Sequence, residues 1–265
     1  MRAGTGTAGH PPQCWCDQQH HDRDSGEGAG VSGKVTNDAG GSGEGGEGAQ
    51  ELDAAFFARW MTAAADAVSR EADRLTELDS AIGDADHGGN MRRGFEAVRG
   101  ELGEDVPGTP GAVLMTAGRK LVSTVGGASG PLYGTLLRRT GKALGTGEQV
   151  GREELAAALR TGIEAVAQLG GAAAGDKTML DALYPAVEAL ADSGGKDFET
   201  ARAAAERGAE ETVPLQARKG RASYLGERSI GHQDPGATSA ALLVAALAAA
   251  DAGQEAAASD SGGSE

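Results

Sequence analysis

The sequence predicts an all-α fold, an eight-helix antiparallel up-and-down barrel or bundle preceded by a disordered extension. Three observations predict it. Aromatic residues make up only 3% of the chain, alanine and leucine are plentiful, and runs of β-branched residues are nearly absent, a bias that favours helix over strand. From Glu51 onward, apolar residues recur near helical spacing, as in Leu52, Phe56, Trp60, Ala64, Ala67, Leu75 and Leu78. Short glycine-rich joints separate these periodic segments, and short joints between amphipathic helices make sequential neighbours antiparallel.

Residues 1–50 hold 13 of the 44 glycines, with Val31 and Val35 as their only branched aliphatics. They bury too little apolar surface to offset chain entropy and read as a disordered extension. Cys14 and Cys16 lie within it, one residue apart, a spacing unsuited to a disulfide framework; with His20 and His21 they suggest a metal cluster only on paper, since nothing around them would position the ligands. The first helix is expected over about 51–77. Further helices are expected near 89–100, 110–125, 131–144, 151–169, 178–192, 197–213 and 237–250, which brings the total to eight. A helical domain over 51–251 and an acidic, disordered tail over 252–265 complete the chain.

The charge balance narrows the function. With 39 acidic against 24 basic residues the net charge is -15, so no overall positive field draws in nucleic acid or an anionic membrane. The start of the chain has no apolar signal region, and its longest apolar stretch, Ala240 to Ala250, is too short to span a bilayer. A cytoplasmic protein is expected. A polyanionic ligand would need local help from metal ions or helix ends.

Four joints carry that help. The first, Leu78 to Asn90, places Asp79, Asp84 and Asp86 within eight residues at the end of a helix. Mg²⁺ takes a few carboxylates and completes its octahedron with water and substrate phosphates, so three aspartates suit a metal site finished by a nucleotide. The competing reading is that Asp and Gly are ordinary turn and cap formers. The second joint, Gly126-Gly127-Ala128-Ser129-Gly130-Pro131, marks a helix start, where backbone N–H groups and the helix dipole favour phosphate; a close helix contact is its structural alternative. In the third, Gly170-Gly171 precedes Gly175 to Asp181, with Thr178 as expected N-cap, Asp181 three residues on, and Met179 free to face an adenine ring or the core. The fourth gathers Arg218, Lys219, Arg221 and Arg228, suited to neutralising phosphoryl charge, ahead of Asp234-Pro235-Gly236.

In this order and spacing the four joints resemble the DhaL subunit family of bacterial dihydroxyacetone kinases, over residues 51–250 and without departure at any motif position. The resemblance implies an eight-helix barrel with a nucleotide at one end, its phosphates held by two Mg²⁺ ions on Asp79, Asp84 and Asp86. It implies nucleotide contacts at His87, Gly88, Gly89 and Asn90, at Ala128 and Ser129, at Gly170, Met179 and Arg221, and at Asp234, Pro235 and Gly236. Arg221 is the expected phosphate stabiliser, and no general base is assigned to this chain. The implied cofactor is ADP/ATP, and the implied partners are a DhaK-like subunit that holds dihydroxyacetone and a DhaM-like subunit that relays phosphate from phosphoenolpyruvate. Such a phosphotransferase is active only with its partners. Service to an ATP-dependent small-ketose kinase and a regulatory module reporting nucleotide state stand as alternatives, and a homodimer stays open.

Overall fold

The computed structural model describes residues 51–261, so the glycine-rich extension, Cys14, Cys16, His20, His21 and the last four residues lie outside the described residues. The all-α class holds. The described residues form helices α1 (Ala54–Ile82), α2 (His87–Glu104), α3 (Pro110–Thr124), α4 (Ser129–Leu144), α5 (Arg152–Gly170), α6 (Leu180–Asp192), α7 (Phe198–Glu210) and α8 (Pro235–Ser261), with a 3-10 segment at Arg221–Ser229. Each helix packs on its neighbour in sequence, and α8 returns to pack on α1.

Local chemistry sets the helix starts. The Asp53 carboxylate accepts from Phe56 N–H at 2.8 Å to open α1, and Thr109 does the same for Ala112 ahead of Pro110 in α3. Two short strands, β1 (Leu52–Asp53) and β2 (Gln149–Val150), pair antiparallel and tie the start of α1 to the start of α5. Their two-residue length leaves no period to read in a sequence.

Several boundaries differ from expectation, most by a few residues, and two of them are instructive. Helix α1 continues to Ile82 rather than ending near 77, because Leu75, Asp79 and Ile82 lie on one buried stripe and hold the last turn against the rest of the fold. Helix α8 continues ten residues past Asp251. At that position Asp251 pairs bidentately with Arg152, at 3.0 and 2.5 Å, with both side chains about nine-tenths buried.

The core is one cluster that draws on every helix. At one end Phe56, Phe57, Trp60 and Phe198 make ring contacts, and the Trp60 indole N–H donates to Leu243 O at 2.9 Å, fixing α1 against α8. Helix α8 is apolar on nearly every side, and over Pro235–Gln254 it has the length and composition of a membrane span; 61% of that window is buried among the other helices, as expected of a central core helix. Helices α3 and α4 approach through glycines: a Cβ at Gly111 would stand 2.3 Å from Gly145 O, and one at Gly141 would stand 2.5 Å from Gly111 O.

That contact is testable. Gly141→Ala should destabilise the protein by about 1–3 kcal/mol through overpacking against backbone. Gly100→Ala, in α2 where a Cβ meets nothing within 4 Å, should instead stabilise it by roughly 0.5–1 kcal/mol. Chemical denaturation of the two variants would measure both, and equal effects would contradict the close approach.

Candidate functional site

Asp79 organises the site. It is buried in the last turn of α1, and its Oδ2 accepts from the backbone N–H of Asp86 at 2.9 Å and of His87 at 3.2 Å. These two bonds fold the intervening loop back on the helix, with Ala85 in the left-handed region at φ 60° as the turning residue. Oxygens of Asp79, Asp84 and Asp86 thereby come within 4.8 Å of one another, and Arg221 Nη1 reaches across to Asp84 Oδ2 at 2.9 Å. Gly83 is required beneath this cluster, since a Cβ there would stand 2.0 Å from Asp79 Oδ1.

The acidic cluster faces a cleft of about 510 Å³ lined by all four joints. Four helices begin at its wall: α2 after Asp86, α4 after Ala128, α6 after Met179 and α8 after Asp234. At α2, α4 and α6 the residue before the helix makes no side-chain cap bond. First-turn N–H groups and the positive ends of four helix dipoles are therefore collected around one space, an arrangement suited to a polyanion. One part of the wall is apolar: Pro131, Leu132, Val166, Leu169, Ala172 and Met179 offer a surface for a flat ring.

A buried hydrogen-bond chain supports the α2 start. Ser129 Oγ lies 3.2 Å from His87 Nδ1, His87 Nε2 lies 2.8 Å from Ser239 Oγ, and Ser239 Oγ lies 2.7 Å from the Tyr133 hydroxyl. With the Ser239 proton on Gly236 O at 3.1 Å, His87 and Tyr133 both donate to Ser239 and Ser129 donates to His87, so every proton has an acceptor. Burial holds the His87 imidazole below its usual pKa, against the opposing pull of Asp79 and Asp86, and pushes the Tyr133 phenol up. A neutral His87 with its proton on Nε2 satisfies this chain.

Lys177 joins the third and fourth joints. It is buried, sits at φ 63°, and its Nζ donates to the carbonyls of Leu215, Ser229 and His232 at 3.0, 2.8 and 2.5 Å. Burial pushes its pKa down, while Asp234 pulls the other way. The segment that carries Arg221 is therefore clipped to the start of α6. Asp181 braces the same turn, accepting from Gly175 N–H at 2.5 Å and Thr178 N–H at 2.7 Å. Thr178 Oγ1 in turn accepts from Leu180 N–H at 3.2 Å, an N-cap contact although the helix proper starts two residues later.

Of the residues singled out in the sequence, Asp79, Asp84, Asp86, His87, Ala128, Ser129, Gly170, Met179, Arg221, Asp234, Pro235 and Gly236 line the cleft. Gly88, Gly89 and Asn90 do not. Gly88 packs on α1, where a Cβ would stand 1.9 Å from Ala72 O, a Cβ on Gly89 would meet nothing, and Asn90 Oδ1 accepts from Arg93 at 2.7 Å. All three belong to the first turn of α2, where Gly88 and Gly89 bring backbone N–H groups to the helix end rather than side chains to the wall, while the Asn90 N–H donates to Asp86 O at 2.9 Å. Sequence reasoning missed the roles of Lys177, Tyr133 and Ser239, whose partners lie tens of residues away.

A family model described as the DAK2 domain matches residues 81–249. The chain is 47% identical over 197 residues to the PEP-dependent dihydroxyacetone kinase, ADP-binding subunit DhaL, of Escherichia coli K12, covering 72% of this chain and 94% of that relative. It is 38% identical over 203 residues to D-erythrulose kinase of Mycolicibacterium smegmatis, covering 74% of this chain but only 35% of that longer one. Among solved structures, the dihydroxyacetone kinase of C. freundii in complex with AMP-PNP and Mg²⁺ superposes with a TM-score of 0.61 at 26% identity, over 81% of this chain and 38% of that one.

Asp234 gives the site a pH signature. Its Oδ2 caps α8 by accepting from Ala237 N–H at 2.7 Å, and burial pushes its pKa up to about 7. From about pH 4 to 7 the unfolded chain has shed a proton that folded Asp234 keeps, so stability falls as pH rises through that window and levels off above it. Asp234→Asn keeps a capping oxygen and removes the ionisation. The thermal stability of the nucleotide-free variant should therefore gain on the wild type from pH 4 to 7, and hold that lead above pH 7. A gap independent of pH would show that Asp234 ionises as an ordinary carboxylate.

Proposed function

Because this chain belongs to the DAK2-domain family of DhaL-type subunits of dihydroxyacetone kinase, we propose that it is the nucleotide-binding, phosphoryl-transferring subunit of such a kinase in the cytoplasm. It passes phosphate from a Mg²⁺-bound ATP to dihydroxyacetone held on a separate DhaK-like subunit, and a DhaM-like subunit restores the resulting ADP. The observation that carries the reading is the meeting of Asp79, Asp84 and Asp86 with four helix N-termini around one cleft.

The donor set fits its metal. Three carboxylates whose oxygens lie within 4.8 Å of one another form an all-oxygen set for a hard divalent cation, and the open cleft beside them leaves room for phosphate oxygens to complete it. Asp79, Asp84 and Asp86 would hold two Mg²⁺ ions, which would supply positive charge against the phosphates. The chain's own groups do the rest. First-turn N–H groups of α2 and α4 donate to phosphate oxygens, and Arg221 supplies a guanidinium on the open side. Asp79 keeps the acidic loop folded, and neutral His87 keeps Ser129 oriented at the start of α4. The apolar wall around Met179 and Leu169 takes the purine and excludes water from one face of the cleft. Phosphoryl transfer asks a protein mainly for this kind of positioning and charge neutralisation.

A second reading is favoured by the erythrulose kinase relative, in which the matching segment sits within a chain nearly three times as long. On that reading this chain would use free ATP and serve a different small ketose.

One set of experiments tests both. The purified chain should bind ADP in a Mg²⁺-dependent manner by calorimetry. With DhaK and dihydroxyacetone it should turn over when driven by phosphoenolpyruvate through DhaM; turnover with ATP alone would favour the second reading. Asp84→Asn and Asp86→Asn should each weaken Mg²⁺-dependent ADP binding by about 100-fold with unchanged circular dichroism, because asparagine replaces aspartate in turns but not as a charged ligand. Full binding by either variant would overturn the metal role.

A further inference from the structure

The segment between α7 and α8 does more than bring Arg221 to the cleft. It projects Tyr224, three residues further on, with 88% of its surface exposed, the most open of the large apolar side chains among the described residues. Tyr224 does not line the cleft. An aromatic ring left in water on a loose loop would mean little, but this segment is fixed at three levels. Lys177 holds the carbonyls of Leu215, Ser229 and His232. Ser229 Oγ accepts from Ala217 N–H at 2.9 Å and donates to Gly226 O at 2.6 Å. Ala217 and Ala222 bury themselves against Ile82 at the end of α1, forming a small apolar cluster apart from the main core. The fold thus uses a buried lysine, a buried serine and a satellite core to present a tyrosine to solvent.

We propose that Tyr224 is the anchor by which this chain docks the protein subunit that carries the phosphoryl acceptor, with the tyrosine ring entering an apolar recess on that subunit beside an acidic rim. The proposal rests on the kinase reading above. Transfer requires the acceptor hydroxyl at bonding distance from the nucleotide, so a subunit that carries the acceptor must cover the mouth of the cleft, and the segment bearing Tyr224 forms one side of that mouth. The charge of the segment selects the partner's surface: Lys219 and Arg221 stand at the mouth and Arg228 follows Tyr224 by four residues, on a chain of net charge -15. Complementary charge steers the encounter, while a buried aromatic supplies the affinity. Nearby Ile230, 45% exposed, extends the apolar contact.

The test uses the full chain with purified DhaK loaded with dihydroxyacetone. Wild-type chain should bind DhaK by calorimetry, and Tyr224→Ala should weaken that binding by about 30-fold, raising the apparent KM for DhaK with little change in kcat at saturation. Tyr224→Phe, which keeps the ring, should stay within about threefold of wild type. Arg228→Glu should weaken binding by roughly tenfold at low salt and flatten its salt dependence. Melting temperature and Mg²⁺-ADP affinity should not move in either Tyr224 variant. Binding of DhaK by Tyr224→Ala at wild-type strength would overturn the proposal, as would a Phe variant as weak as the Ala variant, a loss of ADP affinity on truncating Tyr224, or a wild-type chain that does not bind DhaK. Binding that depends on Tyr224 without turnover from either phosphoryl donor would uphold the docking surface and overturn the kinase reading instead.

Discussion

Two hydrogen bonds from backbone to one buried carboxylate hold the site in shape. Asp79 belongs to α1, yet its oxygen serves the N–H groups of Asp86 and His87 in the next element. Without those acceptors the loop of Asp84 and Asp86 would have no reason to turn back over its own helix, and three like charges would separate. With them, the acids are gathered at a cost that a cation can offset. The same two bonds fix where α2 starts, and with it the position of His87 and of the serines and tyrosine that its ring connects.

From that corner the rest of the architecture follows. Helix α1 must run unbroken to Ile82 to put Asp79 at the cleft, so its other end needs firm anchorage, which Trp60, the Phe56 cluster and the β1–β2 pair provide. Helix α8 must start at the cleft and cross the core, and Asp234 caps it there while Asp251 pairs with Arg152 further along. The glycine contacts between α3 and α4 let two backbones approach closely enough for α4 to begin beside His87.

Much of the site was legible in the sequence because its residue types are unusual for their setting. Three aspartates in eight residues, glycines before a proline-led helix start and a basic run in an acidic chain each break the local pattern; the residues alone left turn, close-contact and solvated-loop readings open, and the family resemblance gave these breaks a ligand. Lys177 was not legible in this way. A single lysine beside Asp176 reads as a surface residue, and only the three carbonyls that converge on it, 38 to 55 positions away, make it a clip. Ser239 and Tyr133 are similar, being ordinary core-helix residues until folding brings them to His87. The end of α1 was missed for a related reason: Asp79 and Ser80 resemble a helix stop locally, while the burial of Ile82 that overrules them is a tertiary fact.

The charge of the chain explains why the site is built as it is. A protein of net charge -15 that binds a polyphosphate cannot rely on its overall field, which repels the ligand. It must concentrate positive potential within a Debye length of about 8 Å at physiological salt, where distant acids are screened. Helix N-termini do this without adding charged side chains, and four of them meet here. A carboxylate triad does it indirectly, by recruiting cations whose charge exceeds its own repulsion of phosphate. The basic segment adds Lys219 and Arg221 to the wall of the cleft, and Arg221 already spans the gap to Asp84.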